Sequence, residues 1–457
     1  SIRNQVGAGA DNLFAGFVIS GDLPKKVVIR GVGPGLVPIV PAAQVLANPL
    51  LQLNRFNPAT LSWTVVGTND DWDGSAALTA TMKSLGMGAL ATNSKDAVLA
   101  LELQPGIYTA QLGGVGDTTG VGLVEIYESS SLAPLAWTST GPLISPITDA
   151  QHPLVSVKDP TVVYDNGKWH VYATTADTKG NWSMVYLNFR TWAEAAAAQP
   201  YYINQNPNLA GYHCAPQVFY FRPQKKWYLL YQSQHPTFST TDDLAKPETW
   251  TAPQAFFQGT PASVVQGWID YWIICDATHA YLFFSDDNGR FYRSRTKIED
   301  FPRNFEDPVV IMQEPNKFDL FEASCVYRLK GMNQYLCFIE CLGQYGRRYF
   351  KAFTTDRLDG TWKPLAGANA WETPFAGLNN VTAAAGGTLW TNDISHGELL
   401  RVGSDETMTV DPQNLHFLYQ GMDRNASAPS YNLLPYRLAL LSATNATQSA
   451  DVPPGSN

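Results

Sequence analysis

Three acidic residues stand at the beginnings of apolar, strand-like segments that are far apart in the sequence. Asp159 precedes PTVVY, Asp270 precedes YWIIC, and Glu322 precedes ASCVY. Each residue taken alone is more often a turn former or a loop cap than a catalytic group. If the three segments held equivalent places in a repeated structure, however, their carboxyl groups would converge. Converging like charges cost free energy unless a function or a cation offsets that cost.

Convergent carboxyl groups indicate a particular chemistry once other chemistries are excluded by the sequence. It has no nucleophile elbow and no His-rich metal cluster, and its Gly-rich segment RGVGPG is not followed by the helix of a nucleotide site. Glycoside cleavage needs one carboxylic acid to protonate the leaving oxygen and one carboxylate to act at the anomeric carbon. A third acid would raise the pKa of the proton donor or orient it.

A repeated strand pattern supplies the elements that would bring these acids together. Aromatic strands recur roughly 54 to 58 residues apart, each preceded by an apolar strand and a turn. The aromatic strands begin at Trp169, Trp227, Tyr281, Tyr335 and Leu389, and the strands before them open at Asp159, Ala215, Asp270, Glu322 and Asn379. Five such units predict a five-bladed β-propeller, in which the first strand of each blade lines a central channel. The fold class is therefore all-β.

The composition changes along the chain predict the domain boundaries. Short strands and turns over residues 1–130 predict a β-sandwich domain, and the Ser-, Pro- and Thr-rich residues 131–152 predict an extended linker. The propeller would occupy residues 153–446, and residues 447–457 would be a flexible tail. The one good helix candidate is Thr191 to Gln199. The first domain is either a glycan-binding module, for which Trp63 and Trp72 are candidates, or a spacer.

The overall composition narrows the class of partner. The formal net charge is -9, aromatic residues make up 12% of the chain, and charged residues make up only 16%. Nucleic acid and anionic membrane surfaces are unfavourable partners because no basic patch is available. A neutral polar ligand such as a carbohydrate fits better. The five cysteines lie in apolar text and have no metal-site spacing, so buried thiols are expected.

The segments around these acids resemble glycoside hydrolase family 62, the α-L-arabinofuranosidases that remove arabinose side chains from xylan. The resemblance covers about residues 152 to 442 and includes SVKDPTVVYDNGKWHVYATT, GWIDYWIICDATHAYLFFSDDNGRFYRS, FDLFEASCVYRLKGMNQYLCFIE and SYNLLPYRLALL. It implies an inverting reaction in which Asp159 is the general base and Glu322 the general acid. Asp270 would modulate the pKa of Glu322 and help to hold the arabinose. Inversion requires the base and the acid to stand roughly 6.5 to 9.5 Å apart.

The same resemblance implies roles for further residues. Lys158, Tyr431 and Asn432 fall on positions that contact sugar, although Lys158 could equally be a surface lysine and Tyr431 a packing residue. His396 resembles a channel histidine near a structural calcium ion, against the alternative of a neutral core histidine. No cofactor would be required for the chemistry. The expected partner is arabinoxylan or its oligosaccharides, and the expected protein is a secreted monomer, extracellular or periplasmic.

The sequence also allows other functions for the predicted propeller. A related five-bladed arabinanase or β-xylosidase would use the same acids with a different cleft, and a carbohydrate-binding propeller would use none of them for catalysis. The segments at Glu306 to Pro308 and Glu340 to Cys341 are similar to motifs of retaining fructan-cleaving propellers. The opening motif KDPT does not fit that group.

Overall fold

A computed structural model describes residues 1–20, 24–129, 132 and 135–452. Nearly all of its regular structure is β-strand, which confirms the all-β class. The chain divides into two compact units, residues 1–133 with 331–333 and residues 134–330 with 334–457. No helix within the described part of the chain has the length and apolar character needed to cross a membrane.

The first unit consists of two four-stranded antiparallel sheets, in the orders β1-β8-β3-β6 and β2-β7-β4-β5. Alternate residues of both sheets, such as Val27 and Leu51, are buried in one shared hydrophobic core. One α-helix, α1 (Ala76–Ser84), lies between β5 and β6, and the Ser75 side chain caps it by accepting a bond from the Leu78 amide. The strands are β1 (Ile2–Val6), β2 (Leu13–Ile19), β3 (Lys25–Val32), β4 (Pro49–Asn57), β5 (Ser62–Asn69), β6 (Ala97–Leu103), β7 (Gly106–Gly114) and β8 (Gly120–Ser129).

The second unit begins with the short strand β9 (Trp137–Ser139) and continues with three sheets of four consecutive strands. All neighbouring strands in these three sheets are antiparallel. Sheet one has β10 (Leu154–Asp165), β11 (Lys168–Asp177), β12 (Trp182–Phe189) and β13 (Tyr201–Tyr202). Sheet two has β14 (Cys214–Phe221), β15 (Lys226–Ser233), β16 (His235–Thr241) and β17 (Gln254–Ala255). Sheet three has β18 (Ile269–Cys275), β19 (His279–Ser285), β20 (Arg290–Lys297) and β21 (Val309–Gln313).

The last two sheets each contain five strands and are less regular. Sheet four has β22 (Glu322–Leu329), β23 (Tyr335–Leu342), β24 (Arg348–Thr355) and β25 (Lys363–Pro364), with a parallel fifth strand taken from later in the chain. Sheet five has the order β26-β9-β30-β29-β27, so strand β9 closes a sheet whose other strands lie at the end of the chain. The remaining strands are β26 (Val381–Ala383), β27 (Ser395–Leu399), β28 (Thr409–Val410), β29 (His416–Gly421) and β30 (Arg437–Ala443).

Short 3-10 helices connect several of these strands. The helix predicted over Thr191 to Gln199 is one of them, because its alanine run continues for only two turns before Pro200. The 3-10 helices among the described residues are Gly9–Asp11, Pro34–Leu36, Val115–Asp117, Trp192–Ala197, Ile203–Gln205, Pro207–Leu209, Arg222–Gln224, Pro247–Thr249, Lys317–Asp319, Gln344–Gly346, Ala384–Gly386 and Tyr431–Leu433.

The first strands of the five sheets contact one another in a closed cycle, in the order β10, β14, β18, β22, β27 and back to β10. Side chains hydrogen-bond across every step of this cycle, which fixes the five strands relative to one another. The bonds run from the Val218 amide to Thr161, from Gln217 to Ile273 O, from Trp272 to Val326 O, from the Leu399 amide to Tyr327 and from Thr161 to Glu398.

Two of the predicted boundaries are wrong in detail. The predicted linker, residues 131–152, contains strand β9, and its Trp137 and Ile144 are fully or nearly fully buried. Their apolar side chains fill the core of sheet five and its neighbour, so the Ser- and Pro-rich composition was misleading. The predicted tail also packs, since Ala450 is buried and Asp451 accepts a bond from the Trp192 amide. Residues 453–457 of that tail lie outside the described residues.

The repeat prediction is correct for four sheets and wrong for the fifth. Strands β11, β15, β19 and β23 contain the predicted aromatic starts. In sheet five the first strand is β27, which begins at Ser395, so neither Asn379 nor Leu389 begins an inner strand. The reason is that residues 365–394, between β25 and β27, contain only the short strand β26 and a 3-10 helix, so the spacing of the repeat does not extend to sheet five.

The packing of Trp137, on strand β9 of sheet five, predicts how much this strand contributes to stability. Trp137 is fully buried, and its indole nitrogen donates a 2.6 Å hydrogen bond to Phe375 O. We expect Trp137→Ala to lower the free energy of unfolding by about 3–5 kcal/mol because it leaves a large cavity and removes a buried hydrogen bond. Guanidinium unfolding followed by tryptophan fluorescence measures this. Trp63→Ala, at a half-exposed position, is the control and should change stability by about 0.5 kcal/mol or less.

Candidate active site

Irregular backbone at the start of the inner strands positions the acids. In β10, β14, β18 and β22 the strand pairing is interrupted, and the residue at the interruption has a left-handed backbone. These residues are Asp159 (φ 47°), Ala215 (φ 49°), Asp270 (φ 54°) and Ala323 (φ 52°). A non-glycine residue in this conformation costs roughly 1–2 kcal/mol, so the surrounding structure must enforce it. Such bulges bend a strand and redirect its side chains, as often occurs next to active sites.

The three predicted acids do not hold the same place relative to these bulges. Asp159 and Asp270 are the bulged residues themselves, whereas Glu322 stands one position before its bulge at Ala323. Pro160 follows Asp159. Proline is disfavoured where the backbone amide must hydrogen-bond to the next strand, but it is accepted at a bulge, where no amide is needed. The Asp-Pro pair in the first strand of sheet one therefore marks the position of a β-bulge.

Asp159 is buried beside two cationic side chains. Its Oδ2 lies 3.7 Å from Lys158 Nζ, its Oδ1 lies 3.3 Å from His396 Nδ1, and its amide donates a 2.7 Å bond to Gln420 Oε1. Burial opposes ionisation, but the charges of Lys158 and His396 outweigh it and hold the pKa of Asp159 well below its usual range. Asp159 is thus a carboxylate at neutral pH, able to accept a proton.

Asp270 links the neighbourhood of Asp159 to that of Glu322. Its Oδ2 accepts a 2.7 Å hydrogen bond from the Ala323 amide and lies 3.9 Å from His396 Nδ1. Burial, together with the negative charges of Glu322 and Asp159, raises the pKa of Asp270 to about 6, even though the charge of His396 acts in the opposite direction. Asp270 therefore holds the backbone next to Glu322 and titrates close to neutrality.

His396 lies between the carboxylates of Asp159 and Asp270. Although burial favours the neutral ring, the two carboxylates raise the pKa of His396 to about 9, so it carries a positive charge at neutral pH. Its backbone amide donates a 2.7 Å bond to Glu340 Oε2. His396 stands at the interruption in β27 and so takes the place that Asp159 takes in β10.

The calcium ion expected near His396 stays a prediction. Calcium prefers oxygen ligands, about six to eight of them, so carboxylates and water would have to surround it. Over the described ranges, no three His, Cys, Asp or Glu side chains form a group that could bind a metal. The charge that a cation would bring to the carboxylates is supplied by His396 and Lys158.

Glu322 belongs to a second group of charges, built around Arg348. The Arg348 guanidinium donates hydrogen bonds to both Glu322 and Glu340, which face each other on the paired strands β22 and β23. Glu340 is completely buried and also accepts a 2.8 Å bond from Ser395 Oγ. Burial and the charge of Glu322 raise the pKa of Glu340 to about 7, against the effect of Arg348. One guanidinium therefore holds two carboxyl groups in place.

A further acid, Asp287, stands beside Glu322. Asp287 lies in the turn between β19 and β20 with a left-handed backbone (φ 56°), and its carboxyl group is close enough to Glu322 for the two charges to interact. Although the residue as a whole is exposed, partial burial of its carboxyl group and the charges of Glu322 and Asp270 raise the pKa of Asp287 to about 8. Asp287 therefore keeps its proton at neutral pH.

Two of the three predicted sugar contacts are part of this site. The Lys158 ammonium lies 3.9 Å from the centroid of the Trp182 ring and 4.8 Å from that of Tyr431. The Arg348 guanidinium lies 5.7 Å from the same Tyr431 ring. Tyr431 is 41% exposed, so its ring forms an open surface above both charge groups. A flat ring with polar groups around it is suited to a sugar.

Asn432, the third predicted contact, lies to one side of the acids. Its amide nitrogen donates a 3.2 Å bond to Gly180 O, and it lines a groove with a cavity volume of about 520 Å³. Trp182 and Tyr212 line the same groove and stack with ring centroids 6.2 Å apart. None of the three catalytic candidates lines the groove, so it adjoins the site without containing it.

The structure surrounds the predicted residues Asp159, Asp270 and Glu322 with partners that the sequence did not predict. Arg348 gave no signal because its strand text, RRYFKAFTT, does not distinguish it from its neighbours. Glu340 was interpreted only as part of a motif similar to those of fructan-cleaving propellers, yet a carboxylate inside the apolar run YLCFIECL could have been recognised as a buried charge that requires a partner. The five cysteines are free and buried, as expected.

One ionised carboxylate held by cations, a separate carboxyl group paired with a protonated neighbour, and an all-β scaffold characterise a glycoside hydrolase. Comparison with known protein families agrees with this class and identifies the family within it. The chain belongs to glycosyl hydrolase family 62, whose sequence model matches residues 136–442. The resemblance drawn from the sequence is confirmed.

Alpha-L-arabinofuranosidase C of Cellvibrio japonicus is 46% identical to this chain over 315 residues, which are 68% of this chain and 47% of that protein. The chain therefore spans about half the length of this curated relative. The catalytic domain of a family 62 α-L-arabinofuranosidase from Coprinopsis cinerea is 46% identical, with a TM-score of 0.66 over 69% of this chain and 99% of that one.

Two further crystal structures are similar to the same part of the chain. A Podospora anserina α-L-arabinofuranosidase in complex with cellotriose is 43% identical, with a TM-score of 0.65 over 69% of this chain and 99% of that one. A family 62 hydrolase in complex with xylotriose is 44% identical, with a TM-score of 0.64 over 67% of this chain and 97% of that one.

Proposed function

We propose that the protein is an inverting, exo-acting α-L-arabinofuranosidase that removes arabinofuranose side chains from arabinoxylan. The observation that carries the proposal is the division of the acids into two electrostatic groups. Asp159 is held ionised by Lys158 and His396, while Glu322 stands apart from them, bonded to Arg348 and beside Asp287, which keeps its own proton at neutral pH. A base and an acid kept apart in this way are what a single-displacement hydrolysis requires.

In the proposed reaction, each step is carried by a residue of this chain. Glu322 donates a proton to the glycosidic oxygen as the bond to the anomeric carbon breaks. Asp159 accepts a proton from a water molecule, whose oxygen attacks the same carbon from the opposite face. Asp270 accepts a hydrogen bond from the Ala323 amide and so positions Glu322. Protons and bonds balance, with water as the only co-reactant.

The substrate assignment rests on the pocket and on the relatives. Lys158, Trp182 and Tyr431 form an aromatic and cationic wall beside the acids, which suits one terminal sugar. The groove at Trp182, Tyr212 and Asn432 offers a place for the sugars of the polymer backbone. Relatives that are 43% and 44% identical were crystallised with cellotriose and xylotriose, which supports a β-linked backbone as the ligand.

We propose that the five sheets of the second unit form a five-bladed β-propeller. The cyclic contact of the five inner strands and the pairing of β9 with β30 support this arrangement. The two sheets of the first unit with their shared core support a β-sandwich. Because arabinoxylan is a polymer found outside cells, we further propose a secreted protein, extracellular or periplasmic, that acts as a monomer.

Proton NMR of the sugar released from wheat arabinoxylan tests the proposed function. We expect β-arabinofuranose to be the first product, with the α-anomer increasing only as the free sugar equilibrates. First appearance of the α-anomer would contradict inversion. Xylose or arabino-oligosaccharides as products would instead indicate a related β-xylosidase or arabinanase. Binding without any released sugar would indicate a carbohydrate-binding protein.

The pairing of Asp287 with Glu322 predicts a change in pH dependence. Asp287→Asn removes the carboxyl group that holds a proton beside Glu322 up to a pH of about 8. The alkaline limb of the kcat/KM profile should therefore move to lower pH by about 1 unit. Asp242→Asn removes a 78% exposed carboxylate paired with Lys226 and is the control. An unchanged alkaline limb in Asp287→Asn would show that Asp287 does not influence the acid.

A further inference from the structure

The outer face of the sheet β2-β7-β4-β5 in the first unit is open to solvent and unusually poor in charge. Residues that alternate with the buried core positions point outward, and Phe14, Val18 and Trp63 are 47%, 65% and 51% exposed. Arg55 is the only charged residue in these four strands. Its guanidinium lies on the opposite face, 5.9 Å from the Tyr108 ring, where it donates to Pro105 O.

The other sheet of the same unit shows the contrast. Strands β3 and β8 carry Lys25 and Glu128, which form a 2.9 Å ion pair of the kind expected on a solvated face. Since 16% of the whole chain is charged, an exposed sheet face without charges is unusual. Such a face indicates a binding surface, because solubility alone would favour charged side chains there.

Uncharged hydrogen-bonding groups run across the centre of this face. The strand pairing sets Gln111 opposite Gln52 and Gln52 opposite Thr68, and sets Thr109 opposite Asn54 one step along. The Gln52 amide nitrogen donates a 3.0 Å bond to Asn54 Oδ1. Four neighbouring strands extend over roughly 14 Å, so these groups form a band rather than a point contact.

Aromatic rings flank the band. Phe56 and Trp63 lie opposite each other on β4 and β5 with ring centroids 5.2 Å apart, and Phe14 stands on β2 across from Gln111. A flat ring beside amide groups matches the two surfaces of a pyranose sugar. The C–H face of the sugar packs on the ring, and its hydroxyl groups both donate to and accept from amides.

We infer that this face, defined by Phe14, Gln52, Asn54, Phe56, Trp63 and Gln111, binds a neutral polysaccharide chain. A protein partner is less suited, because an apolar interface would bury the central amides without partners, at about 1–3 kcal/mol each. A nucleic acid or an acidic lipid surface would require cations, which the face does not have. The inference goes beyond the proposed catalytic function, and only the choice of xylan as a probe rests on that function.

Binding of the full chain to insoluble polysaccharide tests the inference. Depletion from suspensions of wheat arabinoxylan and of microcrystalline cellulose at 4 °C gives the dissociation constants. We expect Trp63→Ala and the double variant Gln52→Ala/Asn54→Ala each to weaken binding to at least one of these polymers by about tenfold. Ile39→Ala, at a 67% exposed loop position outside the face, should bind like the unchanged chain.

Two controls separate this inference from its alternatives. Hydrolysis of 4-nitrophenyl α-L-arabinofuranoside should be equal in all four proteins, because none of the substituted residues is in the catalytic unit. Unchanged binding in both face variants, or no binding by the full chain, would overturn the inference. A dimer in sedimentation analysis that is lost in Trp63→Ala would also overturn it, since the face would then bind a second copy. Binding that depends on the face, in a protein that releases no arabinose, would overturn only the proposed catalytic function.

Discussion

Glu322→Gln should lower kcat/KM on arabinoxylan by about 10³-fold, because glutamine cannot donate a proton to the departing sugar oxygen. The loss should be much smaller on 4-nitrophenyl α-L-arabinofuranoside, whose leaving group is stable without protonation. The alkaline limb of the pH profile should disappear with the acid. Initial rates on the two substrates from pH 4 to 10 measure all three effects.

The control for this variant is Glu306→Gln, which removes a 57% exposed carboxylate that pairs with Arg295. It should retain full activity on both substrates. Thermal unfolding of Glu322→Gln is measured in parallel, because Arg348 keeps Glu340 as a partner and the fold should survive. Equal losses on both substrates would assign Glu322 a role other than proton donation.

Asp159→Asn should also lower activity by about 10³-fold, but equally for good and poor leaving groups, because activation of water is needed in both cases. Removing the carboxylate also takes a partner from Lys158 and His396. The pKa of His396, raised by Asp159 and Asp270 in the native protein, should therefore fall. Steady-state kinetics and a histidine titration by NMR measure these effects.

A small anion provides the decisive control for Asp159→Asn. Azide needs no base, so it should restore activity in this variant and yield β-arabinofuranosyl azide with inverted configuration. Glu322→Gln should not be rescued in this way on arabinoxylan. Failure of azide to restore any activity to Asp159→Asn, with the fold intact, would contradict the assignment of Asp159 as the base.

The acids could be predicted from the sequence because strand text and spacing repeat through the first four sheets. Asp159, Asp270 and Glu322 each precede an apolar run in the first strand of a sheet, so a register deduced from one unit transfers to the next. That register fails at the fifth sheet, because residues 365–394 separate the last strand of sheet four in the repeat, β25, from the first strand of sheet five, β27. As a result, the position equivalent to Asp159 was assigned to Asn379, although His396 occupies it.

The charges around the acids were harder to predict, because their roles depend on contacts between distant residues. The partnership of Arg348 with Glu322 and Glu340 arises from pairing across β22, β23 and β24. Asp287 reaches Glu322 from a turn in the preceding sheet, and turn text such as SDDNGR predicts only a turn. The charge of His396 likewise depends on its neighbours, because Asp270 and Asp159, which come from other sheets, raise its pKa.

Pairing of β9 with β30 has a consequence for synthesis of the chain on the ribosome. Trp137 pairs with Ala443, so β9 is made about 300 residues before its partner strand. At synthesis rates of roughly 5–20 residues per second, β9 waits about 15 to 60 s for β30. Until β26 and β30 have been made, β9 is an unpaired strand whose apolar residues chaperones can bind.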